Sequence, residues 1–501
     1  MDGLLNSANG NRPRVAIVGA GMSGLCMGIK LKRAGVHDFT IYEKADAVGG
    51  TWRDNRYPGL SCDVPSRFYQ YSFELNPDWS HVFAPGPEIW DYFERVADKY
   101  GLRPHIRLGS EVVSARFEAG RWRIRTGDGH EDTVDFVISA CGVLHHPRMP
   151  EIEGLDSFAG AAFHSARWDH DVELRGKRIA VVGTGSTGVQ IVTDLAGAAG
   201  RLLHFQRTPQ WILPAPNRRY TRRERALQRR FPTLGRLEYR VTQEALGRTF
   251  SRAVVKPGWQ RRLISWICRM NLRTVRDHDL RRRLTPDYEP MCKRLVVSSG
   301  FYQAMQRPNV ELVREPITRI EPTGIVTGDG RLHELDVIAF ATGFDSHAYL
   351  RPMEVIGEDG LNLEDVWREG PRAHRTVAIA GFPNLFMLMG PHSPVGNYSL
   401  VAIAEAQADF ALRWIRRRRE GEVASVAPTE AAMARFNEEM RGAMPDTIWT
   451  SGCDSWYLGK DGRPEVWPWT PEQHQRMLRH PDPSEFELRP VAAETATNSQ
   501  A

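Results

Sequence analysis

Cysteine is scarce in this chain and follows no recognisable pattern. Six cysteines are spread over 501 residues, and the closest pair is Cys268 and Cys292. There is no C-x-x-C, which excludes a dithiol-reductase pair and a zinc ribbon, and no metal site is expected. The thiols are expected to stay reduced, as in a cytoplasmic protein. Long apolar runs are missing too. No stretch of about 18 apolar residues occurs, so no membrane span is expected. The N-terminal MDGLLNSANGNRPR lacks the basic-then-apolar order of a signal peptide. Hydrophobic residues make up 41% and charged residues 25%, with mean hydropathy −0.43, which suits a soluble globular chain. Its length implies two or three domains.

Two glycine-rich turns are present, each after an apolar β-type run. Arg14-Val-Ala-Ile-Val18 reads as a short buried strand. It is followed by Gly19, Gly21, Ser23 and Gly24, then by a helical stretch to about Ala34. Glycines at this spacing allow a tight turn and close backbone approach to a pyrophosphate seated on the helix N-terminus. A second strand, Phe39 to Tyr42, ends in Glu43, 24 residues after Gly19, where a partner for a ribose hydroxyl belongs.

The second unit repeats this plan with one change. Arg178 to Val182 is the strand, and Gly183, Thr184, Gly185, Ser186, Thr187 and Gly188 form the turn, leading into Val189. The next strand, Leu202 to Phe205, ends in Gln206 and Arg207, with Thr208 after it. Arg207 lies 24 residues after Gly183, where the first unit has its acid. An acid would repel a 2′-phosphate, whereas a guanidinium can pair with it. The first site therefore reads as taking an adenine dinucleotide without that phosphate, and the second as taking NADP. Apart from these two units there is no internal repeat.

Between the two units runs Phe158-Ala-Gly160-Ala-Ala-Phe-His164-Ser-Ala-Arg-Trp168-Asp169. It resembles the fingerprint of type I Baeyer–Villiger monooxygenases, F-x-G-x-x-x-H-x-x-x-W-[P/D], at every fixed position. A related flavin monooxygenase family usually ends this stretch in Tyr. A second stretch, Gly49-Gly50-Thr51-Trp52 through Tyr57-Pro58-Gly59 to Asp63, is similar to another marker of the same family, [A/G]-G-x-W-x-x-x-x-[F/Y]-P-[G/M]-x-x-x-D. The resemblance covers roughly residues 14 to 470 and implies FAD in the first site and NADPH in the second. It implies that Gly50, Thr51 and Trp52 lie along the flavin, that Asp63 points to its reactive face, and that Tyr69 and Val112 also touch it. It further implies an active-site arginine at Arg294, an NADP-phosphate lysine at Lys293, and a late segment with Trp456 near the cofactors. His164 and Trp168 are carried over with the catalytic set, in the role of coupling the domains rather than of moving protons. One departure is the first unit's Ala140-Cys141-Gly142, which has Cys where the second unit's Ala341-Thr342-Gly343 has Thr.

The implied fold class is α/β, with two Rossmann-like dinucleotide-binding domains for FAD and NADP and a helical insertion in the NADP domain. The expected boundaries are 1–150 and 380–501 for the FAD domain and 160–370 for the NADP domain, with the insertion at about 215–290. The ends, 1–12 and 487–501, are expected to be disordered. Arg218 to Arg294 holds 22 Arg and Lys against 7 Asp and Glu, a net of +15. Because the whole chain is +5, the remainder is −10. Such a stretch can attract nucleic acid or anionic membrane. No nucleic-acid motif accompanies it, and it reads as a solvated face that helps to steer NADPH.

The reaction implied by the resemblance is NADPH- and dioxygen-dependent insertion of oxygen beside a ketone carbonyl, giving an ester or lactone by way of a flavin peroxide held by Arg294 and tuned by Asp63. Three other readings stay open: oxidation of sulfur or nitrogen, an uncoupled NADPH oxidase, and a basic binding protein without turnover. The expected partners are a small apolar ketone or heteroatom substrate and dioxygen. Trp449, Trp456, Trp467 and Trp469 suggest an apolar pocket.

Overall fold

A computed structural model describes residues 12–396 and 398–491. Its frame is two five-stranded parallel sheets. The first is built from β1 (Val15–Val18), β2 (Phe39–Tyr42), β3 (Ile106–Arg107), β4 (Phe136–Ser139) and, much later in the chain, β10 (Leu385–Met387). Their order is β10-β4-β1-β2-β3. The second contains β5 (Ala161–His164), β6 (Arg178–Val182), β7 (Arg201–Phe205), β8 (Val310–Val313) and β9 (Val337–Phe340), in the order β8-β7-β6-β9-β5. The central strands β1, β4 and β9 are buried at every position, which is why they read as continuous apolar runs rather than as alternating patterns.

Each sheet feeds one glycine turn into a helix. Helix α1 (Met22–Arg33) follows β1, and α2 (Ser186–Leu195) follows β6. The turns need glycine for two reasons. Gly19 and Gly183 sit at φ +106° and +123°, in backbone that L side chains rarely adopt. At Gly24 and Gly188 a Cβ would lie 1.9 and 2.1 Å from the carbonyl oxygens of Gly19 and Gly183.

The basic stretch is helical: α3 (Arg222–Arg230), α4 (Pro232–Leu246), a π-helical turn at Gly247–Ser251, and α5 (Trp259–Leu272). α3 opens with a complete capping box between Thr221 and Glu224. A long helix, α6 (Leu400–Arg419), packs on α1 in the core of the first unit.

Three expectations need correction. Glu354–Ile356 pairs with Val112–Glu118 in a sheet that also contains Arg121–Thr126 and Glu131–Val134. The chain has therefore rejoined the first unit before residue 370. Of the terminal stretches expected to be disordered, 1–11 and 492–501 lie outside the described residues. Phe486–Arg489, however, is a strand, antiparallel to Ser425–Pro428. Third, Cys292 and Cys453 form a disulfide with a Cα–Cα distance of 6.1 Å. The expectation of reduced thiols throughout fails for this pair, which is 161 residues apart in sequence and so invisible to local spacing. Among the described residues no helix is long and apolar enough to cross a membrane, and no cluster of potential metal ligands occurs.

Candidate active site

A single cleft of about 1740 Å³ opens beyond the carboxyl ends of both sheets, where open α/β sheets bind ligands. From the first unit it is lined by Gly19, Gly21, Ser23, Glu43, Gly50, Thr51, Trp52, Asp63, Tyr69 and Val112. The second unit contributes Gly183, Thr184, Gly185, Ser186, Thr187, Arg207 and Thr208, and Lys293, Arg294 and Trp456 complete it. Gly24, Gly188 and Val189 stand behind the lining, the two glycines against their turns and Val189 in the core.

The two turns suit pyrophosphate. Neither α1 nor α2 has a side-chain cap at its N-terminus, so the first-turn N–H groups are left for an anion. Gly21 and Gly50 approach so closely that a Cβ on Gly50 would lie 3.1 Å from the Gly21 Cα. Glu43 at the end of β2 is buried; its carboxylate accepts the N–H groups of Ala20 at 2.8 Å and Ala45 at 3.0 Å and pairs with Arg53 at 3.2 Å. A carboxylate has about four acceptor sites, so capacity remains for a ribose hydroxyl. Beyond it, the Trp52 indole N–H donates to the Tyr69 hydroxyl at 3.1 Å, with the rings edge-on.

The second unit offers positive charge where the first has Glu43. Arg207 is exposed at the end of β7 and, among the described residues, has no carboxylate partner. Lys293 lies near it, its ammonium over the Tyr288 ring. Burial pulls the Lys293 pKa down, Asp454 opposes the shift, and repulsion from Arg207 adds to it. Two cations side by side at the end of the second unit's strand are the arrangement expected of a phosphate site.

Where the two units face each other, Arg294 projects into the cleft. Its Nη2 donates to Asp63 Oδ2 at 2.6 Å and its Nε to the same oxygen at 3.2 Å. Nη1 donates to the Val395 carbonyl at 3.0 Å. The attraction of Asp63 raises the Arg294 pKa, so the guanidinium is a fixed positive charge held by a side chain from the other unit.

A family model described as flavin-binding monooxygenase-like matches residues 12–355. An uncharacterized monooxygenase of Mycobacterium tuberculosis is 59% identical over 98% of this chain and 99% of its own length. A Baeyer–Villiger monooxygenase of Streptomyces coelicolor is 39% identical over 97% of this chain and 95% of its own. This chain is a Baeyer–Villiger-type flavin-binding monooxygenase. Among solved structures, an oxidized steroid monooxygenase bound to NADP superposes with a TM-score of 0.86 at 32% identity, covering 96% of this chain and all of the other. Cyclohexanone monooxygenase from Rhodococcus sp. Phi1 bound to NADP+ gives 0.85 at 29% identity, covering 96% and 99%.

Not every residue expected in the monooxygenase site reaches the cleft. His164 and Trp168 do not line it. His164 is buried at the end of β5, where its Nδ1 accepts the Ala166 N–H at 3.1 Å; burial lowers its pKa. Trp168 packs edge-on against Phe163 in the second core. Of the late tryptophans, Trp449 and Trp467 are core residues, and only Trp456 reaches the cleft.

Other contacts could not be anticipated from spacing. The Tyr57 hydroxyl meets Gln190 Oε1 at 2.9 Å, and Gln190 Nε2 donates to the Ser61 carbonyl at 2.9 Å, tying α2 to the first unit. Gly59 sits at φ +78°, and a Cβ there would lie 2.7 Å from the Gln190 carbonyl. The disulfide joins the residue before Lys293 to the residue before Asp454, and both of these line the cleft. The Tyr57-Pro58-Gly59 motif was a signal for the first contact, but nothing local pointed to Gln190.

Proposed function

We propose that the chain uses NADPH and dioxygen to convert an apolar ketone to an ester or lactone, with water as the second product. The carrying observation is Arg294, a permanent cation clamped by Asp63 where the two nucleotide units meet. In this reading the α1 turn, Glu43, the Gly50-Thr51-Trp52 segment, Tyr69 and Val112 hold FAD. The α2 turn, Arg207, Thr208 and Lys293 hold NADPH, and Trp456 closes the cleft over the cofactors. When bound, the flavin takes hydride from NADPH and activates dioxygen.

The protein's part is electrostatic. Arg294 supplies hydrogen-bond donors and charge to an oxygen that becomes negative as the reaction proceeds. Asp63 fixes the guanidinium plane, so little reorganisation is needed at that moment. The Tyr57–Gln190 contact, and behind it His164 and Trp168, position the two units against each other. Val64, Met389, Val395 and Leu400 also line the cleft, and such apolar lining favours a ketone over a charged substrate. Dependence on NADPH and FAD suits a cytoplasmic location.

The test is mass spectrometry of products from a ketone panel under labelled dioxygen. The expected result is an ester carrying one labelled oxygen and one equivalent of NADPH consumed. Labelled sulfoxide or N-oxide with no ester from any ketone would reassign the chain to heteroatom oxidation. NADPH use unaffected by every substrate, with stoichiometric hydrogen peroxide, would reassign it to an oxidase.

A further inference from the structure

Among the described residues, fourteen large hydrophobic side chains are exposed, and nine of them lie between Leu227 and Met270. They fall in the stretch that carries a net +15. The concentration is sharpest on α5. Trp259, Leu263, Trp266 and Met270 are 60%, 44%, 58% and 38% exposed. At about 100° per residue these four positions fall within an arc of about 60°. The opposite side of the helix, Ser265, Cys268 and Leu272, is buried. Thus α5 has one apolar face in the core and a second facing out. A helix apolar on both sides is ordinarily covered on both.

Arginines border the outer stripe. Arg262 and Arg273 are exposed beside it and, among the described residues, have no carboxylate partner. Arg269, on the same flank, is paired with Glu289 at 2.9 Å. A second exposed apolar row, Leu234, Leu237 and Val241, runs along α4, near Arg236 and Arg240, which have no carboxylate partner among the described residues. Both acids on that helix are engaged, Glu238 with Arg67 at 2.7 Å and Glu244 with Arg248 at 3.0 Å.

We propose that the outer stripe of α5, with its arginine border, rests on an anionic lipid surface. Tryptophans suit the boundary between headgroups and acyl chains, because the ring is apolar and its N–H is polar. Leu263 and Met270 enter the acyl edge, while Arg262 and Arg273 stay level with the lipid phosphates. A second copy of this chain meeting it through the same face is disfavoured by charge, since Arg262 and Arg273 of each copy would oppose those of the other. A nucleic acid would match the charge and could stack on Trp259 and Trp266, but it would leave Leu263 and Met270 against polar backbone, whereas a lipid surface covers all four. The placement suits an enzyme with apolar substrates, which partition into the same surface.

Flotation with vesicles tests this in the full chain loaded with FAD. Wild type should float with vesicles of phosphatidylcholine and phosphatidylglycerol at about 0.1 M salt and stay at the bottom with phosphatidylcholine alone. The W259A/W266A pair should lower the vesicle partition coefficient by about tenfold or more. R262E/R273E should lower it by a similar factor while leaving both tryptophans in place. Both variants should keep the wild-type melting temperature and rate of NADPH oxidation, since none of the four residues lines the cleft. The proposal is overturned if wild type does not float with the anionic vesicles, or if it floats equally in both variants. It is also overturned if light scattering finds a dimer that W259A/W266A splits, which would make a second copy the occupant. Binding of a single-stranded oligonucleotide without flotation would make nucleic acid the occupant instead.

Discussion

Arg294 and Arg207 are both cations in the same cleft, and their surroundings separate their roles. Arg294 is held by three hydrogen bonds, two to one oxygen of Asp63 and one to the Val395 carbonyl. Such fixation suits a group that must meet charge as it develops. Arg294→Ala is expected to leave FAD content and NADPH oxidation largely intact while ester formation falls by about 10²–10³-fold, the usual loss for an oxyanion donor. Hydrogen peroxide should then match the NADPH consumed, measured in the same cuvette. Near wild-type ester yield would remove Arg294 from the reaction. Arg207 is exposed, and no carboxylate among the described residues competes for it. Arg207→Ala removes a charge-assisted contact worth about 1.5–3 kcal/mol. NADPH should bind roughly tenfold or more weakly with NADH little changed, as read by titration of each nucleotide; an unchanged ratio would give the phosphate to Lys293. Glu43 and Arg207 were legible in the sequence because a strand–turn–helix–strand unit places its second strand end at a nearly fixed distance from the first turn. The Cys292–Cys453 bond and the Tyr57–Gln190 contact were not, because each joins segments more than 100 residues apart. The chemical motif for His164 and Trp168 was legible, but whether those side chains face the cleft depends on the packing around β5.

At the scale of elements, the glycine turns are where backbone meets backbone. In Gly188→Ala the new methyl would start 2.1 Å from the Gly183 carbonyl oxygen, and neither atom belongs to a flexible side chain. The first turn of α2 has to move. The expected cost is about 1–3 kcal/mol, as for overpacking in a tight core. Calorimetry should show a lower melting temperature and NADPH titration a weakened affinity, with the flavin content of the purified protein preserved because α1 is untouched. A variant with wild-type NADPH affinity would show that α2 adjusts without disturbing the site. The helices and central strands were readable from their apolar patterns and glycine punctuation. Glu354–Ile356 and Phe486–Arg489 were not, since three- and four-residue strands with exposed positions are defined by their partners rather than by their own composition.

Across the whole molecule, buried histidines set the response to acid. His204 lies in β7 with no exposure; its Nε2 donates to the Gly183 carbonyl at 3.0 Å, and its Nδ1 is buried without a partner. Burial lowers its pKa from 6.5 to about 4. His392 is lowered to about 4 and His474 to about 3 for the same reason. The folded state therefore keeps these rings neutral at pH values where the unfolded chain already binds protons. Stability is fully present above about pH 6.5 and is lost as pH falls through 6.5 toward 4, with each ring contributing on the order of a few kcal/mol by the lower end. A melting-temperature series should be level near pH 7 to 8 and fall steeply below about 6. A level profile down to pH 4.5 would mean that the rings reach water. The two-sheet plan was legible from the paired glycine turns, but the point where the chain returns to the first sheet was not.

That return has a consequence for how the protein is made. β10 and α6 belong to the first sheet and its core, yet they begin at Leu385 and Leu400, whereas β4 ends at Ser139. A ribosome adding about 5–20 residues per second needs on the order of 10–50 s to cross that gap. Through that interval the N-terminal segment has left the tunnel without its edge strand or covering helix. The second sheet, whose strands all lie between 161 and 340, is complete before β10 is made. Nascent chains arrested with residues up to 360 outside the tunnel should resist protease across 161–340 and be cut within 15–139, and further extension that brings residues up to 420 outside should protect both; early protection of 15–139 would show that the first unit closes without its last strand. The order of birth is then reversed in the order of folding: the middle of the chain matures first, and the beginning waits for the end.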